Sequence, residues 1–414
     1  MHKTGRSGST RNITTINGGF SADCPYAKSV TVLNEENYPN LTKIDATLGL
    51  NLTEVNLPKL TYVGQYGLQT SSLEKVYLPG VTYVGNQAFT SEKIATMTLG
   101  ITNASTQLVA SWNYRAKIGT LHLPNAVGEL KNLYTSPIQN LDAPQISGIA
   151  QGLFKDCASL VTVNAPNVTS IGAEAFSGCT GLTMVDVSSA TTLGISAFKG
   201  CKNLATLIVS PLTSLANNLF NGCEKFDYFQ THKDTIKSVG VGTFSGSGLT
   251  HFLYDGAGSL PENALSACTS LKTVEIRKLQ GAVGSRVFNG CSNLETVIMT
   301  GDAYEFADYT FNALTSGKLD FVWGISSSSI SKIKFSWDSA SFGGGTIINN
   351  LFLTEITSQT EASGLKEKLL KTGDNEAYCS AVNNVYYGYT GSTPAATASV
   401  AELTAPSNYT KLSP

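Results

Sequence analysis

IQNLDAPQISGIAQGLFKDCAS, LVTVNAPNVTSIGAEAFSGCTG, LTMVDVSSATTLGISAFKGCKN and LATLIVSPLTSLANNLFNGCEK are residues 138–225, four consecutive near-copies of 22 residues. Aligned, they place Phe154, Phe176, Phe198 and Phe220 in one column and Cys157, Cys179, Cys201 and Cys223 in another. A unit this short cannot bury its own apolar face, so it is stable only between neighbours, and a period of this length predicts a solenoid. The expected product is a rod with one parallel sheet along a face. In the unit 160–181, Leu160, Val163 and Ala165 face inward from a short strand that Pro166 ends by withholding an amide. Val168 and Ile171 turn a second edge, Gly172 allows the corner, and Ala175, Phe176 and Cys179 fill the back from a short helical or 3-10 turn. Thr162 and Asn164 then point outward by the two-residue alternation of a strand.

The repeat extends both ways. Residues 1–28 read as a flexible lead-in, and 29–318 as a solenoid of about 12 coils, some imperfect. Regular coils run from Leu52, and the Phe column continues through Phe244, Leu265, Phe288 and Phe311. Between them, 102–117 with Trp112 and Tyr114 is either a degenerate coil or a protruding loop. Beyond 318 the period fades. Strand-like alternations at 319–323, 333–337 and 347–356 and a capped amphipathic helix opening after Ser358 predict a small α+β C-terminal cap over 319–390. Residues 391–414, rich in Pro, Ala, Ser and Thr, read as an extended tail.

Together the columns LxxVxxPxVTxIGxxAFxGC resemble the BspA-like class of leucine-rich repeats over about 52–316. That resemblance implies a leucine-rich-repeat solenoid with a parallel β-sheet along one face and short turns on the other. It also implies the surface or secreted proteins of host-associated microbes, and adhesion. No catalytic residues come with it, because the shared positions are structural. Ser188 replaces the strand-ending Pro in one coil, Gly246 replaces the Cys in another, and 227–239 matches poorly.

Composition narrows the partners. Charged residues make up 14% of the chain, with 28 Lys and Arg against 30 Asp and Glu, no basic run and no long apolar span. Nothing therefore marks a nucleic-acid surface or a membrane span. The N-terminus lacks the apolar core of a secretory signal, which a trimmed mature chain would also lack. Six of eight cysteines (Cys157, Cys179, Cys201, Cys223, Cys268 and Cys291) hold the repeat position and read as small buried side chains, although coils about 4.8 Å apart would also admit bridges.

No nucleophile, base and orienter can be assembled into a catalytic set, and neither the four histidines nor the cysteines show metal-ligand spacing. No cofactor is implied. Gly343–Gly345 lacks the Lys and Ser/Thr of a phosphate loop and reads as a turn. Asp142 and Asp186 occupy the same outward position two coils apart, about 10 Å, which reads as a pair of solvated acids rather than a hydrolase centre. The outward set is more informative. Met184, Ile208, Tyr228, His251 and Leu253 are apolar or aromatic where solvent is expected, and form either a binding patch or a surface packed under the irregular insert or the C-terminal region. The sequence thus predicts a non-catalytic scaffold, at a cell surface or secreted, that recognises a protein or glycan on a host or neighbouring cell. The alternative is a structural or receptor-binding component of a larger assembly, such as a virion.

Overall fold

The structure, a computed structural model, describes residues 12–18, 30–48, 50–109, 111–133, 137–227, 236–256, 258–279, 281–301, 305–307, 309–312, 314, 319–335, 346–370, 379 and 381–413. The chain divides into two compact units, Met1–Gly194 with Thr206–Ser210, and Ile195–Ala205 with Pro211–Pro414. Both are built from parallel coils, and the predicted solenoid is the fold.

In the first unit nine parallel strands follow one another in chain order among the described residues. They are β1 (Val32–Asn34), β2 (Glu54–Asn56), β3 (Lys75–Leu78), β4 (Ile94–Leu99), β5 (Ile118–His122), β6 (Ile138–Asp142), β7 (Thr162–Asn164), β8 (Met184–Val187) and β9 (Thr206–Val209). Each presents one row inward, so Val163 and Val185 are buried, and one row outward. A second edge of two-residue strands pairs likewise, Ser170–Ile171 lying between Gly148–Ile149 and Thr192–Leu193. Thr15–Ile16 pairs in parallel with Lys43–Ile44. Coils therefore begin inside the stretch read as a flexible lead-in; residues 1–11 and 19–29 lie outside the described residues.

The repeat columns each have a physical reason. Phe154 and Phe176 stack with centroids 5.4 Å apart, filling the back of the coils. Cys179 donates its thiol proton to the Phe154 carbonyl at 2.9 Å, and Cys223 does the same to Phe198 at 3.1 Å. Both are thiols outside any disulfide, each satisfying a carbonyl of an earlier coil. Threonines in the Val-Thr column (Thr42, Thr61, Thr82 and Thr169) send their hydroxyls to the carbonyls of Thr14, Thr42, Thr61 and Ser147, all at 3.1 Å. Gly172 is required for a different reason than corner conformation. A Cβ there would stand 2.4 Å from the Gln151 backbone nitrogen, so the neighbouring coil leaves no room for one. Conformational freedom is needed instead at Gly178, whose φ is +76°.

The stretch with Trp112 resolves as a degenerate coil. Trp112 is buried edge-on to Phe89 at 6.0 Å, and Phe89 N–H donates to its carbonyl at 3.2 Å.

The second unit carries its own phenylalanine stack, Phe198 on Phe220 at 5.8 Å and Phe220 on Phe244 at 5.6 Å. Its sheet contains β10 (His251–Tyr254), β11 (Thr273–Ile276), β12 (Thr296–Thr300), β13 (Leu319–Gly324), β14 (Ile347–Leu353), β15 (Ala381–Tyr387) and β16 (Thr410–Lys411), the last antiparallel. Three strands of the predicted cap thus continue the repeat sheet in parallel. Their spacing grows, with facing residues Asp320 and Asn350 separated by 30 positions and Asn350 and Asn384 by 34. The longer excursions accommodate helix α1 (Gln359–Leu370), which buries Leu365 and Leu369 as its pattern predicted, together with Ala362, while Leu370, expected on the same side, is half-buried. Residues 391–413 are not an extended tail. They contain helix α2 (Val400–Leu403), a 3-10 turn at Pro406–Asn408 and the edge strand β16.

Candidate functional site

The outward rows of the first sheet are set by register. One row runs Asn56, Tyr77, Thr98, His122, Asp142, Asn164, Asp186, Ile208, and beside it lie Thr120, Asn140, Thr162 and Met184. Polar side chains here bond from coil to coil. His122 Nδ1 lies 3.0 Å from Asp142 Oδ2, and Asn164 Nδ2 donates to Asp142 Oδ1 at 2.7 Å. Thr162 Oγ1 donates to Asn140 Oδ1 at 2.7 Å, and Asn140 Nδ2 donates to the Gly119 carbonyl at 3.3 Å. Both Asp142 oxygens are therefore engaged, and Asp186 Oδ1 accepts the Ser188 N–H at 3.1 Å. That arrangement holds the two acids as structural acceptors, not as a free pair facing a substrate.

Apolar side chains interrupt the polar ladder. Tyr77 is 47% exposed, Met184 41% and Ile208 41%. Met184 faces Thr206 and Ile208 faces Asp186, so the two apolar residues sit diagonally on adjacent strands β8 and β9. Tyr77 was not among the residues singled out, although its outward position was legible from the strand alternation.

In the second unit the candidates His251 and Leu253 share strand β10. His251 is exposed and its Nε2 lies 3.1 Å from Glu275 Oε1, while Leu253 is half-buried opposite Glu275. Burial pushes the Glu275 carboxyl up, but the hydrogen bonds from His251 and Arg277 outweigh this and hold it below the usual carboxylate range. Tyr228 lies outside the described residues, as do most of the irregular insert and Gly343–Gly345. The structure thus brings Met184 near Ile208, and His251 near Leu253, in separate units.

Further along the same outward row of the second sheet, Ile298, Val322 and Phe352 are fully buried and Tyr386 nearly so. A parallel row carries an amide ladder, Asn384 Nδ2 donating to Asn350 Oδ1 at 3.0 Å and Asn350 Nδ2 to Asp320 Oδ1 at 2.8 Å. Among the described residues no group of three or more His, Cys, Asp or Glu is arranged to hold a metal ion, and no helix is long and apolar enough to cross a membrane.

With stacked coils, a phenylalanine and cysteine back and a parallel sheet in place, the class is a leucine-rich-repeat solenoid. The BspA type leucine rich repeat region matches residues 40–134, 129–250 and 191–318 in six copies, and the chain belongs to that family. Leucine-rich repeats of this kind are protein-binding scaffolds and are often surface-associated. Solved structures similar to it include a leucine-rich repeat protein from Bacteroides ovatus, at 19% identity over 66% of this chain and 72% of that one, TM-score 0.40. Another is the T. pallidum leucine rich repeat protein, at 25% identity over 42% and 77%, TM-score 0.34. A leucine rich cell surface protein from Faecalibacterium prausnitzii aligns at 16% identity over 74% and 86%, TM-score 0.25. None of the curated proteins matches the chain.

Proposed function

We propose that this protein is a non-catalytic adhesion scaffold, secreted or displayed at a cell surface, that recognises a protein or glycan through the outer face of its first sheet. The observation carrying this reading is the exposure of Tyr77, Met184 and Ile208 on a face whose polar side chains are already ordered by hydrogen bonds between coils. Preordered side chains lose little rotamer freedom on binding, and exposed aromatic and thioether groups supply the desolvated contacts that dominate affinity. His251 with Leu253 forms a second, separate candidate contact in the other unit. Host or neighbouring-cell ligands fit the family's frequent surface association.

An array of glycans and extracellular-matrix proteins tests this. At least one ligand should bind wild type and be lost in the triple variant Tyr77→Ala, Met184→Ser, Ile208→Ser, whose unfolding free energy stays within about 1.5 kcal/mol of wild type, about 0.5 for each surface site. An empty array, or a ligand held equally by the variant, would overturn it.

A further inference from the structure

The outer face of the second unit's sheet is built like an interface, and the chain's own C-terminal segment fills it. Ile298, Val322, Phe352 and Tyr386 share a buried cluster with Ala398 and Leu403, and Tyr389, Ala395, Val400 and Tyr409 pack against it. Phe352 stands 5.0 Å from the Tyr386 ring and 5.1 Å from that of Tyr409. Arg277 also holds the segment, through the segment's backbone rather than its side chains. Its Nη1 donates to the Ala396 carbonyl at 2.8 Å and its Nη2 to the Ala398 carbonyl at 2.9 Å, while Glu275 Oε2 fixes the guanidinium at 2.6 Å from Nη2. A guanidinium held by a carboxylate and aimed at two carbonyls of a passing chain is peptide recognition in form.

The segment also satisfies itself. Ser399 caps α2 by accepting the Glu402 N–H at 3.2 Å, and Glu402 Oε1 accepts the Thr393 N–H at 2.9 Å. Asn408 Nδ2 and Tyr409 OH donate to the Glu402 and Leu403 carbonyls, each at 2.9 Å. Thr390 N–H closes the loop on the Asn408 carbonyl at 2.8 Å. Among the described residues its ladder with the sheet pairs Tyr386 with Lys411 and Tyr387 with Thr410, and Leu412 N–H donates to the Val385 carbonyl at 2.8 Å. Gly388, at φ +66°, is where the chain leaves β15. A self-satisfied loop, hinged at a glycine and attached through an apolar seat, an arginine clamp and two ladder pairs, has the makings of a docked ligand and not of another coil.

We propose that the outer face of β11–β15 is a peptide-docking surface and that residues 389–412 are its built-in occupant, seated in cis and able to be replaced by the same segment supplied in trans. An external partner for this face must displace the segment. This holds whether or not the first sheet binds a ligand.

The test uses the full chain carrying Leu403→Asp, which places a carboxylate in the apolar seat without altering any sheet residue. Amides of 389–412 should exchange hydrogen at least about tenfold faster, while those of β13 and β14 keep their protection. A labelled peptide of residues 389–414 should bind this variant saturably and bind wild type at least about tenfold more weakly, because there the seat is filled. Arg277→Gln added to Leu403→Asp should weaken the peptide at least about tenfold, the scale of one charge-assisted hydrogen bond, because two such bonds are lost. If Leu403→Asp fails to fold, Arg277→Gln alone should still raise exchange of 389–412 about tenfold with β13 and β14 unaffected. Loss of protection in β13 and β14 together with the segment in Arg277→Gln would overturn the proposal, making the segment part of the cooperative core. So would peptide binding to neither protein, or to both alike.

Discussion

The two sheets use one strand ladder and treat its outer face in opposite ways. In the first unit, coils facing each other at 22 positions put Thr, Asn, Asp and His outward, bonded to one another and open to solvent. In the second, the spacing stretches to 30 and 34 positions, the outward row becomes Ile298, Val322, Phe352 and Tyr386, and the C-terminal segment closes over it. Inside, both units obey the same rule, a stack of phenylalanines behind aliphatic strand residues. The inner face is therefore what the repeat constrains, and the outer face is where coils are free to differ.

The most direct way to break this contrast is Phe352→Ala. An outward position of an ordinary coil should tolerate truncation, yet here we expect a loss of about 3–5 kcal/mol, the same as for the inward Phe176→Ala. Denaturant titration would show it, and a loss under about 1 kcal/mol would mean that the covered face is not a core. Gly172→Ala should follow at about 1–3 kcal/mol, because the added methyl meets the Gln151 backbone and not a movable side chain. An unchanged midpoint would refute close approach of the coils as the reason for that column.

Acid should act on the second unit more gently, through two carboxyls of its sheet. Glu275 has a depressed folded pKa, so the stability it contributes is complete above the ordinary glutamate value of about 4.3 and is lost as pH falls through the lower folded value. Near-ultraviolet circular dichroism of the Tyr389 and Tyr409 cluster should fade over that window; a signal flat to low pH would remove Glu275 from the clamp. Asp320 runs the other way. Burial raises its pKa, with the Asn350 and Asn349 hydrogen bonds offsetting only part, so its charged form weakens the fold as pH rises past the usual aspartate range. Asp320→Asn should therefore add about 0.5 kcal/mol at neutral pH and nothing in acid, in paired unfolding titrations.

What could be read from the chain follows the same division. The columns of Phe, Cys, Ile-Gly and Val-Thr recur because each makes a contact with the coil before it, and a contact repeated at fixed spacing is visible as a pattern. The parallel strands β13, β14 and β15 escaped as repeat elements because their inward residues (Phe321, Leu351 and Val385) remained but the interval between them did not. The 391–414 stretch misled through composition. A Pro, Ala, Ser and Thr-rich segment reads as extended, yet Ala398 and Leu403 enter the buried cluster with Tyr389, Ala395, Val400 and Tyr409 packed against it, once a groove of aromatic and aliphatic side chains exists. On the outer face of the first sheet Met184 and Ile208 are exposed where alternation put them, and Tyr77 was equally accessible to that reasoning.

The thiol column gives the protein a set of internal clocks. Cys179, Cys223, Cys268 and Cys291 each donate to a carbonyl of an earlier coil, and burial pushes the Cys223 thiol up to about 12 and the half-buried Cys157 up to about 11. At Cys179, Cys201, Cys223, Cys268 and Cys291 burial keeps a thiolate-seeking reagent away from the sulfur in the closed state, so modification there reports how often that coil opens. Mass mapping of alkylated peptides over time would rank the coils from fraying to locked, without adding a single probe to the molecule.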